Sequence, residues 1–135
     1  MTARGISLDF EFRSPIARVW AALTDSSMLE KWIYPNDFKA VVGHKFQFRA
    51  EPSQWWDGII DGEVLEIEEP LRLRYTWMSG SEHTVVTWTL SEVDDGTTKV
   101  HLEHFGFEAE QSFHGATHGW QRMCGKLGSL LSELR

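Results

Sequence analysis

Apolar and polar residues alternate with a period of two in several short segments of the chain. This period is typical of strands with one buried face. Turn-forming residues, such as those at 79–81 and 94–96, separate the segments. We therefore predict six strands, arranged as a meander, at residues 6–12, 45–50, 58–67, 71–77, 86–90 and 100–105.

Two short helices are predicted between the first and second strands. Ser14 and Pro15 have the residue types of a helix N-cap and first helical position, and apolar residues follow at helical spacing to about residue 24. Ser27 and Glu30 have the spacing of a capping box. A second short helix should therefore begin at Ser27, directly after the first.

A longer helix is predicted for the C-terminal part of the chain, after residue 110. Its apolar stripe has helical spacing and comprises Phe113, Ala116, Thr117, Trp120, Met123, Cys124, Leu127, Leu131 and Leu134. Glycines interrupt the segment at positions 115, 119, 125 and 128. Each costs up to about 1 kcal/mol in a helix relative to alanine, so either close packing requires them or the helix bends there, and we expect close packing.

The length and composition fit a single domain spanning residues 1–135. With 41% hydrophobic and 24% charged residues, the chain has the composition of a globular protein. No apolar run approaches the roughly 20 residues that a membrane helix needs, and residues 1–9 lack the pattern of a secretory signal. We therefore expect no membrane insertion and a cytoplasmic location.

Charge and sequence motifs narrow the possible chemistry. A net charge of -7 opposes binding to nucleic acid or to anionic membranes. Cys124 is the only cysteine, which excludes an internal disulfide, and we interpret it as a buried, inert thiol. Walker, dinucleotide, nucleophile-elbow and zincin motifs are missing, so no cofactor is expected.

The histidines do not have the spacing of a metal site. His101 and His104 should face opposite sides of a strand. His114 and His118 share a helix face that lies away from the apolar stripe. Because no third ligand is evident, we expect no metal.

Several short strings resemble one known family. PIARVWAALTD at residues 15–25 resembles the opening of the START-like superfamily, also described as SRPBCC or polyketide-cyclase and birch-pollen-allergen-like. GEV at 62–64, EPLRL at 69–73, YTW at 75–77, TW at 87–88, HFGF at 104–107 and GW at 119–120 resemble its branch named for the activator of the heat-shock-protein-90 ATPase.

The resemblance implies an α+β helix-grip fold. In this fold a curved six-stranded antiparallel sheet carries two short helices after strand one, and a long C-terminal helix packs across its concave face. The resemblance also implies a cavity between sheet and helix that binds a hydrophobic small molecule or lipid. Members with other roles include cyclases, hydrolases and a co-chaperone, so a chaperone partner is a further alternative.

The alternation along the strands and the apolar stripe of the C-terminal helix together predict which side chains face this cavity. Seven tryptophans supply much of the candidate surface. The predicted ligand-binding residues are Trp32, Phe48, Trp56, Tyr75, Trp77, Trp88, His104, Trp120, Met123 and Leu127, with Phe46 and Trp55 as alternatives to Phe48 and Trp56. Asp57 and Glu63 are the acidic residues expected nearest the cavity mouth. The competing interpretation is that these large side chains simply fill the core.

His104 and Tyr75 are the candidates for chemistry beyond binding. Every second residue of a strand faces the same side, so His104 shares the buried face with Val100 and Leu102. On that face a neutral imidazole can orient a ligand or exchange a proton. A core histidine satisfied by a neighbouring hydroxyl or carbonyl is the alternative. We therefore expect a carrier, sensor or binding module, with a cofactor-free cyclase or hydrolase using His104 as the alternative.

Overall fold

The computed structural model describes residues 4–54 and 56–133. Within them the strands are β1 (Arg4–Phe12), β2 (Lys45–Arg49), β3 (Ile59–Glu68), β4 (Arg72–Ser79), β5 (Glu82–Asp94) and β6 (Thr97–Phe107). The helices are α1 (Ile16–Thr24), α2 (Ser26–Trp32) and α3 (Glu110–Glu133). This is the predicted α+β helix-grip fold, in which α3 packs on a curved, open antiparallel sheet. Trp55 and Leu134, both included in the sequence predictions, lie outside the described residues.

The sheet has the strand order β1-β6-β5-β4-β3-β2. Strands β2 to β6 form the predicted meander, because each pairs with the next one along the chain. β1 instead pairs with β6, with Ile6 opposite His104 and Leu8 opposite Leu102. The first strand therefore extends the meander at its far end, and β1 and β2 are the two edges.

Strands β5 and β6 are longer than the predicted segments 86–90 and 100–105. Their pairing continues through Ser91 opposite Lys99 to Asp94 opposite Thr97. The side chains of residues 91–96 are exposed, so hydrophobic alternation ends before the backbone ladder does. Backbone pairing, which a hydrophobic pattern does not report, extends this hairpin beyond the core.

The capping predictions for both short helices were wrong. Pro15 occupies the N-cap position of α1 without a side-chain cap, and the Ser14 carbonyl instead accepts a hydrogen bond of 2.8 Å from the Thr98 hydroxyl. Helix α2 begins one residue before Ser27, because Asp25 is its N-cap and accepts a 2.9 Å bond from the Ser27 amide. The Ser27 hydroxyl also donates to Asp25, at 2.6 Å, and so cannot serve as the cap itself.

The α3 stripe is buried from its middle onward. Trp120, Met123, Cys124, Leu127 and Leu131 are buried as predicted, and Leu130 joins them. The expected close packing at the glycines was wrong for most of them. A methyl group built at position 115 or 125 would meet nothing within 4 Å, and at position 119 only Met123 Cε, at 3.8 Å. Position 128 alone touches a neighbouring element, with Phe12 Cε1 at 3.4 Å.

A close approach that does require glycine occurs inside the sheet. A methyl group at Gly62 would lie 2.4 Å from Phe46 Cζ and 2.7 Å from the Thr76 carbonyl oxygen. The Phe46 ring therefore crosses directly over β3, where it packs edge-on against Tyr75 at 5.5 Å between centroids. The part of the chain that the structure describes holds no helix with the length and apolar character needed to cross a membrane.

Candidate functional site

A cavity of about 350 Å³ lies beneath the first half of α3. Its walls are the ends of β3, β4 and β5, the end of β6 and the residues of α3 from Ser112 to Met123. Tyr34 and Trp56 close one side from the connecting segments. The lining is mostly apolar, and the cavity is partly open to solvent.

The structure divides the predicted ligand-binding residues into two groups. Trp56, Trp77, Trp120 and Met123 line the cavity. The rest do not line it and are 2% exposed or less: Trp32, Phe48, Tyr75, Trp88, His104 and Leu127. Phe46, the alternative to Phe48, is buried as well. The second half of α3 therefore packs on the core, and the mostly apolar cavity lies under the first half.

Tryptophan rings form a continuous wall between the sealed core and the cavity. Trp120 contacts Trp77 at 5.1 Å and Trp88 at 5.4 Å between ring centroids. Trp88 in turn packs edge-on against Trp32, at 5.9 Å. Such edge-to-face and tilted contacts are the favoured arrangements for aromatic pairs. The interlocked rings give the cavity a rigid floor.

His104 belongs to a buried hydrogen-bond chain next to this floor. The Trp120 indole Nε1–H donates to His104 Nδ1 at 2.8 Å, so Nδ1 carries no proton. The Thr84 hydroxyl donates to the Trp77 carbonyl at 2.6 Å and lies 2.7 Å from His104 Nε2. Because that hydroxyl has only one proton, Nε2–H must be the donor to Thr84 Oγ1.

This arrangement fixes both the tautomer and the charge of His104. Burial lowers the pKa of the imidazole from 6.5 to about 3, so the ring is neutral at physiological pH. Both ring nitrogens are already paired within the fold. His104 therefore orients Trp120 in the cavity floor and does not itself reach the cavity.

Tyr75 and Cys124 are also confined to the core. The Tyr75 hydroxyl accepts a bond of 3.0 Å from Trp88 Nε1, and burial raises the pKa of the phenol far above its ordinary value. Burial likewise raises the pKa of the Cys124 thiol to about 12. Neither group lines the cavity.

The acidic residue at the cavity is Glu82, whereas Asp57 and Glu63 were the residues predicted there. The Asp57 carboxylate accepts a bond of 2.9 Å from the Ile59 amide, and Glu63 lies in a groove on another part of the surface. The Glu82 carboxylate lines the cavity and accepts bonds from the Glu108 and Ala109 amides, at 3.0 and 2.8 Å. Glu82 thereby ties the start of α3 to the β4–β5 turn.

Two opposing effects act on the pKa of Glu82. Partial desolvation raises it, but the bonds from the two amides and from Ser112 together lower it further, so the net pKa is below the ordinary value. The carboxylate therefore stays ionised. Its negative charge faces the positive end of the α3 dipole.

Further lining residues were not identified from the sequence. Arg122 and Ser112 are polar members of the wall, and Gly115 and Gly119 contribute bare backbone to it. The glycines did carry a signal, because their spacing of four places them on one helix face. The close packing expected at these two glycines was wrong, because both border the cavity. Trp56 adds a hydrogen-bond donor, because its buried indole Nε1–H has no partner among the described residues.

Metal ligands do not converge in the described part of the chain, where no three His, Cys, Asp or Glu side chains could together hold an ion. His101 and His104 lie on opposite faces of β6, as predicted. His114 and His118 are exposed on α3, also as predicted.

The fold is shared with several solved structures. Protein MLL2253 from Mesorhizobium loti is 33% identical with a TM-score of 0.88, and the match covers 98% of this chain and 99% of that one. CalU16 from Micromonospora echinospora is 27% identical with a TM-score of 0.80, over 96% of this chain and 77% of that one. PFC0360w, an HSP90 activator from Plasmodium falciparum, is 21% identical with a TM-score of 0.79, over 95% and 96%, and shares the fold.

Functionally curated proteins gave no match to the chain. The family model described as Activator of Hsp90 ATPase homolog 1-like protein matches residues 13–132, which is nearly the whole chain. The match includes all the cavity-lining residues of β3 to β6 and α3. The chain therefore belongs to the family of Activator of Hsp90 ATPase homolog 1-like proteins.

Proposed function

We propose that this protein binds a hydrophobic small molecule in the cavity under α3, as a cytoplasmic carrier, sensor or binding module. The observation that carries the proposal is the cavity itself, about 350 Å³ of space with Trp56, Trp77 and Trp120 in its wall. Apolar pockets with a few polar groups to orient the ligand are the usual form of small-molecule sites. Trp56 Nε1–H, unpaired and buried, would supply one such group.

The volume of the cavity limits the size of the ligand. At roughly 30 Å³ for each water-sized unit, it holds a body of about a dozen non-hydrogen atoms. A whole diacyl lipid does not fit, although a longer tail could leave through the opening. At roughly 0.3–0.5 kcal/mol per atom, a body of this size would bind with a Kd between about 2 mM and tens of micromolar.

Binding explains the site better than catalysis does. The groups considered for acid-base chemistry, His104 and Tyr75, are committed to Trp120, Thr84 and Trp88 inside the core. A general base must reach the proton that it removes, and neither group borders the cavity. The HSP90 activator among the similar structures is 21% identical and supports the fold alone, so we do not extend its partner to this chain.

Titration with uncharged probes tests the proposal. We expect 4-phenylbutanamide and 1-decanol to shift the indole signals of Trp56 and Trp77 in ¹H–¹⁵N spectra in a saturable manner. A Gly119→Leu variant should weaken binding at least about tenfold, because the new side chain enters the cavity beside Met123 Cε, 3.8 Å from the added Cβ.

Gln121→Leu is the matched control for this variant. It places the same side chain on the same helix, but position 121 is exposed and lines neither the cavity nor the groove at Lys31 and Lys126. Its affinity for the probes should equal that of the unaltered protein. Equal binding by both variants, or no saturable binding by any uncharged probe of this size, would refute the proposed function.

A further inference from the structure

A basic groove between α2 and α3 adjoins the cavity at Arg122. Arg122 lines both the cavity and the groove, and Lys31 and Lys126 line the groove beyond it. From this shared cation at the cavity wall we infer that the ligand is an amphiphilic organic anion. Its apolar body would fill the cavity and its carboxylate would sit at Arg122. This inference rests on the proposed function, because it assigns a chemical class to the ligand of the same site.

The cations of the groove are not neutralised by close ion pairs with the described residues. Arg122, Lys31 and Lys126 are exposed and make no such pair, although Lys31 interacts electrostatically with the Asp25 carboxylate. Arg122 and Lys126 are four residues apart on α3, a spacing at which like charges repel each other slightly. Glu133 is the carboxylate that lines the groove with them, so positive charge predominates there.

The groove is positively charged although the chain as a whole has a net charge of -7. An acidic protein repels small anions at long range, so a cationic groove at the cavity mouth gives an anion a local place to bind. Arginine suits this position because its planar guanidinium can bind a carboxylate through two parallel hydrogen bonds.

The two ends of the cavity differ in charge, which fixes the orientation of the ligand. Ser112 marks the end near the ionised Glu82 carboxylate, and Arg122 marks the other end. At a rise of ~1.5 Å per residue, these α3 positions are about 15 Å apart along the helix axis. A carboxylate at the Glu82 end would meet like charge, whereas at the Arg122 end it meets a cation.

Between these ends the wall is apolar. Trp77, Trp120 and Phe107 line it from the sheet and helix. A ligand of about a dozen non-hydrogen atoms is long enough to place its body on the rings and its carboxylate at the mouth. The cavity would thus recognise the apolar body, and Arg122 at its wall would recognise the head group.

A matched pair of probes tests the inference. 4-Phenylbutanoate and 4-phenylbutanamide have the same shape and the same number of non-hydrogen atoms but differ in charge. In calorimetric titrations at low ionic strength, the acid should bind roughly tenfold more tightly than the amide. The reason is that a hydrogen bond to a charged group is more favourable than one between neutral groups, by a free energy that corresponds to about this factor. Raising the salt concentration should reduce this difference.

Substitution at Arg122 should remove the preference for the acid. Arg122→Gln should lower the affinity for the acid to that of the amide and leave the affinity for the amide unchanged. Lys99→Gln removes an equal charge from an exposed position on β6 that lines neither the cavity nor the groove, and it should leave both affinities unchanged.

The outcomes separate this inference from the proposed function. If acid and amide bind equally well, or if Arg122→Gln preserves the preference, the anionic head group is refuted and the binding function stands. If a phenylalkyl phosphate binds and the carboxylate does not, the carboxylate assignment is refuted. If none of these probes binds, the proposed function fails and the inference fails with it.

Discussion

Thr84→Val should destabilise the fold through a hydrogen-bond chain that lies beside the cavity. Thr84 is 2% exposed and His104 0%, and the Thr84 hydroxyl connects His104 Nε2 to the Trp77 carbonyl. Valine has nearly the same shape as threonine but neither donates nor accepts a hydrogen bond. The substitution therefore breaks both bonds without creating a cavity.

The cost can be worked out from the groups that lose a partner. His104 Nε2–H would be left without an acceptor in the core, which costs about 1–3 kcal/mol, and the lost bond to Trp77 adds about 1 kcal/mol. A change of tautomer does not rescue the ring, because a proton on Nδ1 would face the Trp120 indole N–H, itself a donor at 2.8 Å. We therefore expect Thr84→Val to lower the free energy of unfolding by roughly 2–4 kcal/mol.

Urea denaturation followed by far-UV circular dichroism measures this change, and Thr87→Val is the control. Thr87 lies on the same strand as Thr84, on the opposite side of it by parity, and half-buried. Its substitution should alter stability by at most about 0.5 kcal/mol. If Thr84→Val costs no more than Thr87→Val, the assigned hydrogen-bond chain is incorrect.

The same chain predicts how stability depends on pH. The pKa of His104 is about 3 in the folded protein and 6.5 ordinarily, so the unfolded chain binds more protons between these values. The contribution of neutral His104 is therefore complete above pH 6.5 and is lost as the pH falls towards 3. The folding equilibrium constant should fall up to about tenfold per pH unit from this site. Titration of His104 near pH 6.5 in ¹H–¹⁵N spectra would refute the assignment.

Further predictions concern the glycines, the thiol and a surface histidine. Gly125→Ala should stabilise the protein by up to about 1 kcal/mol, because helix propensity improves and nothing lies within 4 Å, while Gly62→Ala should destabilise it in the same denaturation assay. Cys124 should react with a thiol reagent only as fast as the protein unfolds, since burial raises the pKa of the thiol to about 12; prompt labelling would contradict its burial. Asp9→Asn should lower the pKa of His101 in an NMR titration, because the 2.8 Å bond that His101 Nδ1–H donates to the Asp9 carboxylate raises this pKa. The stabilisation from this pair should be present below pH 6.5 and lost as the pH rises through the raised pKa, and an unchanged pKa in the variant would contradict the pairing.

Hydrophobic periodicity predicted most of the fold because it reports which face of each element is buried. It placed Val100, Leu102 and His104 on the inner side of β6, where all are buried. It could not report hydrogen bonds between distant residues, which decide the exact ends of elements. The cap of α2 at Asp25 and the extension of the β5–β6 hairpin are both of this kind.

The candidate site was harder to predict, because it depends on which part of the inner face α3 leaves uncovered. Trp88 and Trp77 occupy buried-face positions on neighbouring strands, yet only Trp77 lines the cavity. The difference arises from packing along α3, where Gly115 and Gly119 line the cavity in the first half and buried leucines cover the core in the second half. Glu82 was missed for a related reason, since its partners lie at the start of α3, far along the chain.

The most direct test of the account is whether an apolar probe enters the space under α3. In ¹H–¹⁵N spectra with indole signals assigned through single Trp→Phe variants, 4-phenylbutanamide should shift the signals of Trp56 and Trp77 along saturable curves. The signal of Trp20, which lies in α1 and does not line the cavity, should remain in place. Signals that stay still throughout, or that all drift together without saturation, would show that this space binds no ligand of the kind proposed.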